Sequence, residues 1–101
     1  MAAWVIAAIQ SVHDEAGFAA YQEEAGPLAA KYGGKRLASG TKIEIADGTW
    51  SPVRVVVLEF EDLEKAKTWY NSPEYQAAME KRISSSDGGF IFVDGAEAGR
   101  A

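Results

Sequence analysis

The stretch VRVVVLEF, residues 53–60, decides the fold of this chain. β-Branched and aromatic residues favour a strand, and this run is apolar at both parities of the strand's two-residue period. Two sets of side chains would face opposite sides of a sheet: Val53, Val55 and Val57 on one, and Val56, Leu58 and Phe60 on the other. The run therefore predicts a strand that is apolar on both faces.

The N-terminal third predicts one strand followed by one helix. Residues 3–11 form an apolar run rich in strand formers, and Asp14 suits a helix N-cap. Apolar residues then recur at helical spacing over about residues 15–32. We expect Gly26-Pro27 to kink or split this helix, and Gly33-Gly34 to end it in the left-handed C-cap conformation.

The remainder predicts two strands, two helices and a final strand. Residues 35–46 predict a strand that is interrupted by a bulge or turn at Ser39-Gly40. The following elements are expected in this order: the strand at 53–60, a helix after Asp62, a helix capped by Ser72, a flexible polar loop at 84–89 and a strand at 89–94.

This order, β-α-β-β-α-β, is typical of the ferredoxin-like α+β sandwich, whose sheet is antiparallel. With 101 residues the chain is long enough for one domain, which we expect to span residues 1–95. Residues 96–101 are expected to form a flexible C-terminal tail.

Strands that are apolar on both faces predict a homodimer. Helices cover only one face of a ferredoxin-like sheet, so the open face should be polar in a monomer. The first and last strands break this rule as the third does: Trp4, Ile6 and Ala8 alternate with Val5, Ala7 and Ile9, and Phe90 and Phe92 alternate with Ile91 and Val93. We expect a second copy to cover the open sheet face with two-fold symmetry, in an obligate-type interface on the order of 2,000 Å² or more in total.

Three segments resemble a bacterial family called domain of unknown function 1330: YGGKR at 32–36, RVVVLEF at 54–60 and WYNSPEY at 69–75. The resemblance covers residues 3–95, and many relatives have Asp-Pro where this chain has Asp14-Glu15. The family is similar to the dimeric α+β barrel superfamily, in which two ferredoxin-like sheets form a barrel. That superfamily includes cofactor-independent quinone monooxygenases, haem-degrading enzymes, muconolactone isomerases and non-catalytic members. The resemblance therefore implies a fold and no single activity.

Composition excludes several classes of function. The chain has no cysteine, so it has no disulfide, cysteine nucleophile or thiolate metal site. Its net charge of −5 disfavours nucleic acid as a partner. The apolar segments are too short to cross a membrane, and the N-terminus does not resemble a secretory signal, so we expect a cytoplasmic protein. No metal is expected because acidic residues and the single histidine do not cluster, and no cofactor motif is present.

Glu59 is the best candidate for a catalytic residue. It has the parity of Val55 and Val57 on the apolar strand, where a lone carboxylate is costly unless it is paired. One interpretation is an ion pair with Arg36 or Arg82 that fixes strand or dimer register. The other is a general base with a raised pKa in a pocket.

Tyrosines, tryptophan and arginines are the candidates for a ligand pocket. Such aromatic residues at helical spacing usually pack in the core, but their hydroxyl groups together with two arginines also suit a small anionic or aromatic ligand. The candidates are Tyr21, Tyr32, Arg36, Glu59, Trp69, Tyr70, Tyr75 and Arg82. His13 suits a surface turn better than a catalytic role, and the segment GGKR at 33–36 suits a helix stop better than a phosphate loop.

Two functions stay open on the sequence alone. The first is a homodimer that binds a small molecule between sheet and helices. The second is a cofactor-independent oxygenase or isomerase of small aromatic or lactone substrates, in which the substrate supplies the reactivity and the protein supplies desolvation and a proton acceptor.

Overall fold

The computed structural model describes residues 1–97 and has the predicted βαββαβ order. Residues 98–101, most of the predicted tail, lie outside the described part. The elements are β1 Ala3–Val12, α1 Glu15–Lys31, β2 Lys35–Gly40, β3 Arg54–Phe60, α2 Leu63–Tyr70, α3 Pro73–Ser85, β4 Ser86–Asp94 and a 3-10 turn Gly95–Glu97. The chain is thus a ferredoxin-like α+β sandwich.

The four strands form one antiparallel sheet in the order β2-β3-β1-β4. Val5 of β1 lies opposite Leu58 of β3 and Phe92 of β4, so these three side chains share the face that the helices cover. Val5 and Leu58 are buried there. The face assignments predicted for the first, third and last strands are therefore confirmed.

Hydrogen bonds cap both ends of α1, from a side chain at the start and from the backbone at the end. The Asp14 carboxylate accepts a hydrogen bond from the Gly17 N–H at 3.0 Å. At the other end Gly33 has a φ of +90°, and the N–H groups of Gly33 and Gly34 donate to the carbonyl oxygens of Ala30 and Ala29. This is a Schellman motif, for which a glycine at the left-handed position is best suited.

The helix α1 runs through Pro27 as one continuous element, so the proline does not split it. A proline removes only one backbone N–H, and the packing of a long helix face supports the turns on either side. The two later helices begin where predicted, with the side chains of Asp62 and Ser72 accepting from the N–H groups of Lys65 and Tyr75.

The predicted strand at 35–46 is wrong in its bounds. The strand β2 ends at Gly40 instead of residue 46, and its register shift lies between Arg36 and Ala38. Residues 41–53 form an irregular connection, in which the Asp47-Gly48 turn is exposed. Strand formers alone do not hold a strand where no neighbouring strand pairs with them.

The predicted flexible loop at 84–89 is also wrong, because α3 runs to Ser85 and β4 begins at Ser86. The Ser86 hydroxyl donates to the Arg82 carbonyl at 2.7 Å, and the Ser85 carbonyl accepts from the His13 N–H at 3.0 Å. These bonds occupy backbone groups that a loop would leave to water.

Candidate functional site

A cavity of about 470 Å³ separates α1 from the helix-facing side of the sheet. It spans the sheet from β2, through Val56 and Leu58 of β3 and Ala7 of β1, to Phe90 of β4. Its volume lies in the range of small-molecule sites. Among the residues of the described chain that line it, two are arginines and none is an aspartate or glutamate. Its polar groups are Tyr21, Gln22, Arg36, Ser39, Arg54 and Tyr75.

Two tyrosine hydroxyl groups meet at the α1–α3 side of the cavity. The hydroxyl oxygens of Tyr21 and Tyr75 lie 2.8 Å apart, and Tyr75 is fully buried. Burial raises the pKa of both phenols, so both stay protonated at neutral pH. Only one of their two hydrogens can lie between the oxygens, and the other is available to a third group. The pair is therefore a hydrogen-bond donor.

Arg82 lies behind this tyrosine pair. Its guanidinium carbon is 4.3 Å from the centroid of the Phe90 ring, and the side chain is 6% exposed. The positive charge lowers the pKa of Tyr21 and Tyr75, although burial outweighs it. Within residues 1–97 no carboxylate lies within 4.0 Å of this guanidinium, and its Nε has no hydrogen-bond partner. A buried cation without an anion is costly, and a bound anion would lower that cost.

Trp69 forms part of the apolar wall. Its ring centroid lies 4.6 Å from that of Tyr75 and 5.4 Å from that of Phe60. The indole is 2% exposed, and its Nε1 has no hydrogen-bond partner in the part of the chain that the structure describes. Trp69 Nε1 in the cavity wall is thus a second buried donor without an acceptor in the described chain, after Arg82 Nε behind the wall.

Two predicted pocket residues lie elsewhere. The Tyr70 hydroxyl donates to Met79 Sδ at 3.3 Å, and the Tyr32 hydroxyl donates to the Glu74 carboxylate at 2.5 Å. Neither residue lines the cavity. Both tyrosines instead join helices or loops to each other, which is the packing role that aromatic residues at helical spacing usually have.

Glu59 lies on the opposite, open face of the sheet. Its carboxylate accepts a hydrogen bond from Trp4 Nε1 at 3.0 Å. Arg36 pairs in register with Leu58 and points to the helix side, and Arg82 also lies on that side, so the predicted ion pair does not form within the described chain. Glu59 directly follows Leu58, which lines the cavity, but consecutive residues of a strand point to opposite faces of the sheet. Glu59 does not line the cavity.

Three polar lining residues were not among the predicted site residues: Gln22, Ser39 and Arg54. Arg54 has the parity of Val56 and Leu58, and this parity places it on the helix face. A second cavity of about 520 Å³ adjoins the first and shares Phe18, Gln22 and Arg54 with it. Within residues 1–97 no group of three or more metal-ligating side chains is close enough to hold an ion. No helix there is long and apolar enough to span a membrane.

Residues 2–96 match the model of a family described as "Domain of unknown function (DUF1330)". No functionally curated protein matches the chain in sequence. A protein of unknown function from Rhodopseudomonas palustris has a similar structure, with a TM-score of 0.77 and 17% identity over 91% of this chain and 80% of that one.

Two further solved structures share the fold. A dimeric ferredoxin-like protein of unknown function from Bacteroides fragilis has a TM-score of 0.63 and 17% identity, over 92% of this chain and 93% of that one. SnoaB from Streptomyces nogalater, a cofactor-independent oxygenase, has a TM-score of 0.62 and 13% identity, over 90% of this chain and 88% of that one. At these identities the likeness extends to the fold alone.

Proposed function

Because the chain belongs to the DUF1330 family, whose description assigns no activity, we propose a function from its cavity: it binds a small organic anion between the sheet and α1. One observation carries the proposal. The cavity walls hold hydrogen-bond donors and arginines but no carboxylate in the described chain, and a buried arginine without an anionic partner lies directly behind them. Such a site is complementary to a negatively charged, largely apolar molecule.

Two properties of the proposed site can be tested: it should prefer an anion to a neutral molecule, and binding should be lost when the cavity is filled. Small aromatic anions such as benzoate should raise the midpoint of thermal unfolding, and the neutral amide benzamide should not. Ala25 lines the cavity and is 8% exposed, so Ala25→Leu should fill the space and abolish the benzoate effect without removing any polar group.

Ala30→Leu is the matched control, because Ala30 lies on the same helix and is exposed. It should leave the response to benzoate unchanged. An equal response to benzoate and benzamide, or an undiminished response in Ala25→Leu, would contradict binding of an anion in this cavity.

We also propose that the chain forms a homodimer through the open face of its sheet. We define this face by the side chains that point away from the helices: Trp4, Ile6, Ala8, Val55, Val57, Glu59, Ile91 and Val93. Ile91 is 58% exposed and Val93 is 38% exposed in the single chain. An apolar face of this kind is rare on a monomer, and the similar protein from Bacteroides fragilis is dimeric.

A cofactor-independent oxygenase or isomerase of small aromatic or lactone substrates is the second candidate. The donors of the cavity are suited to stabilising a substrate oxyanion, and SnoaB has the same fold. Glu59 does not support this function, because it lies on the other face of the sheet, and His13 is exposed. The substrate would have to be acidic enough to ionise by itself. Incubation with quinols that consumes no more oxygen than buffer would contradict it.

A further inference from the structure

The cavity has polar groups at two opposite ends. One end holds the hydroxyl pair of Tyr21 and Tyr75, with Arg82 behind it, beside Phe90 of β4. The other end holds Arg36, on β2. Because β2 and β4 are the two edges of the sheet, their backbones are three strand spacings apart, or roughly 14 Å.

Arg36 reaches across the mouth of the cavity towards α1. Its Nη2 lies 4.0 Å from the position that a Cβ would take at Gly26, so the guanidinium approaches the helix where no side chain intervenes. Arg36 is exposed, and within residues 1–97 it has no carboxylate partner. A planar guanidinium at a solvent-exposed mouth is well suited to bidentate binding of a carboxylate.

The floor between these ends is apolar and partly aromatic. It is formed by Ala7, Val56, Leu58, Trp69 and Phe90. The rings of Trp69 and Phe90 are inclined by only 14°, with centroids 6.3 Å apart. A charged group over this floor would lose its hydration without gaining a hydrogen-bond partner. A flat aromatic ring has no charge to desolvate and would pack on the rings of the floor.

We propose that the ligand is an elongated aromatic acid with a carboxylate at one end and a phenolic or enolic oxygen at the other. This inference rests on the proposed binding function and gives its ligand class. The carboxylate is bound by Arg36 at the mouth and the ring lies on the apolar floor. The phenolic oxygen accepts from the tyrosine pair, where the Arg82 charge favours its anion.

Calorimetric titration with four probe molecules distinguishes the contributions of the two ends of the cavity. 4-Hydroxycinnamate carries both end groups, cinnamate lacks the inner oxygen, methyl 4-hydroxycinnamate lacks the charge, and 4-hydroxybenzoate is shorter. 4-Hydroxycinnamate should bind most tightly of the four. Arg36→Met should weaken its binding by roughly tenfold to a hundredfold, and leave the methyl ester unaffected.

Tyr75→Phe should weaken 4-hydroxycinnamate by roughly fivefold and leave cinnamate unaffected. Tyr21→Phe is a second variant at the same end, in case removal of the fully buried hydroxyl of Tyr75 impairs folding. Equal losses for the acid and its ester in Arg36→Met, or for both cinnamates in the tyrosine variants, would overturn the two-ended ligand.

Benzoate distinguishes this failure from that of the binding function. If benzoate stabilises the protein in a manner that Ala25→Leu abolishes, but 4-hydroxycinnamate binds no more tightly than cinnamate and Arg36→Met weakens neither, the anion site stands and the elongated ligand is wrong. If none of these anions binds, both proposals fail.

Discussion

Glu59, the best catalytic candidate from the sequence, and Arg82, one of its two expected partners, lie on opposite sides of the sheet. Glu59 accepts from the Trp4 indole on the open face, and Arg82 packs on Phe90 beneath the helices. Since alternate residues of a strand point in opposite directions, the parity of Glu59 placed it on the face of Val55 and Val57, but it did not say which face the helices cover. The sequence predicted a pocket between sheet and helices, and the structure shows which residues line the cavity there.

Gly88 is a residue at which the fold leaves no space for a side chain. It lies opposite Ile9, beside the irregularity where β1 and β4 shift register. A Cβ at this position would lie 2.3 Å from the Ala8 carbonyl oxygen and 2.8 Å from the Ile9 Cα. Backbone atoms in the middle of a sheet cannot move aside cheaply, so Gly88→Ala should lower the free energy of unfolding by about 2–4 kcal/mol.

Urea denaturation of Gly88→Ala, compared with that of the control variant Gly89→Ala, checks this expectation. A Cβ at Gly89 would meet nothing within 4 Å, so that variant should stay within about 0.5 kcal/mol of the parent. Equal stability of the two variants would show that β4 does not approach β1 closely at Gly88.

At the scale of elements, Glu74 ties the start of α3 to the end of α1. Its carboxylate accepts from Lys31 Nζ and from the Tyr32 hydroxyl, each at 2.5 Å. The bond from Lys31 is the largest cause that lowers the pKa of Glu74 below its ordinary value of 4.5, and the bond from Tyr32 is the next. The same contact raises the pKa of Lys31.

This tie should make stability depend on pH. A carboxylate whose folded pKa is lowered contributes its stabilisation above the unfolded pKa and loses it as the pH falls through the folded pKa. The parent should therefore be more stable than Glu74→Gln at pH 7, and the difference should shrink below about pH 4.5. The effect should be small, because the partners are exposed.

Urea midpoints measured at pH 7 and pH 3 provide the check. Glu80→Gln on the same helix is the control, since Glu80 is exposed and forms no ion pair within residues 1–97. A gap between the parent and Glu74→Gln that is the same at both pH values would contradict a contribution from the ionised carboxylate.

At the scale of the whole molecule, the open sheet face exposes apolar side chains that a second copy of the chain would bury. Ile91 lies at its edge on β4 and is 58% exposed, while Ile83 on α3 is 61% exposed on the helix layer. The two isoleucines are equally accessible in the single chain and differ in the surface to which they belong. We therefore expect Ile91→Lys to convert the proposed dimer to a monomer at micromolar concentration, and Ile83→Lys to leave it unchanged.

Light scattering after size-exclusion chromatography distinguishes these outcomes, with circular dichroism to confirm that both variants are folded. A parent chain that is monomeric, or two variants with the same mass as the parent, would rule out pairing through this face.

Several features of the fold could be predicted from local patterns because each depends on near neighbours in the chain. Asp14, Asp62 and Ser72 cap the helices that follow them, and Gly33 ends α1, since these effects act within one helical turn. The extent of β2 and the end of α3 could not be predicted in this way. Both are set by pairing with distant segments, β3 in one case and β1 in the other.

The βαββαβ order and the two apolar faces of the strands follow from the amino-acid sequence, because strand parity and helix periodicity are properties of the chain alone. The sequence also predicted tyrosines and arginines as site residues. Which of them share a cavity depends on how the helices pack on the sheet. Tyr21, Arg36, Trp69 and Tyr75 line the cavity and Arg82 lies behind it, while Glu59 lies across the sheet. The packing of the helices against one face of the sheet, which no local pattern encodes, brings the lining residues together.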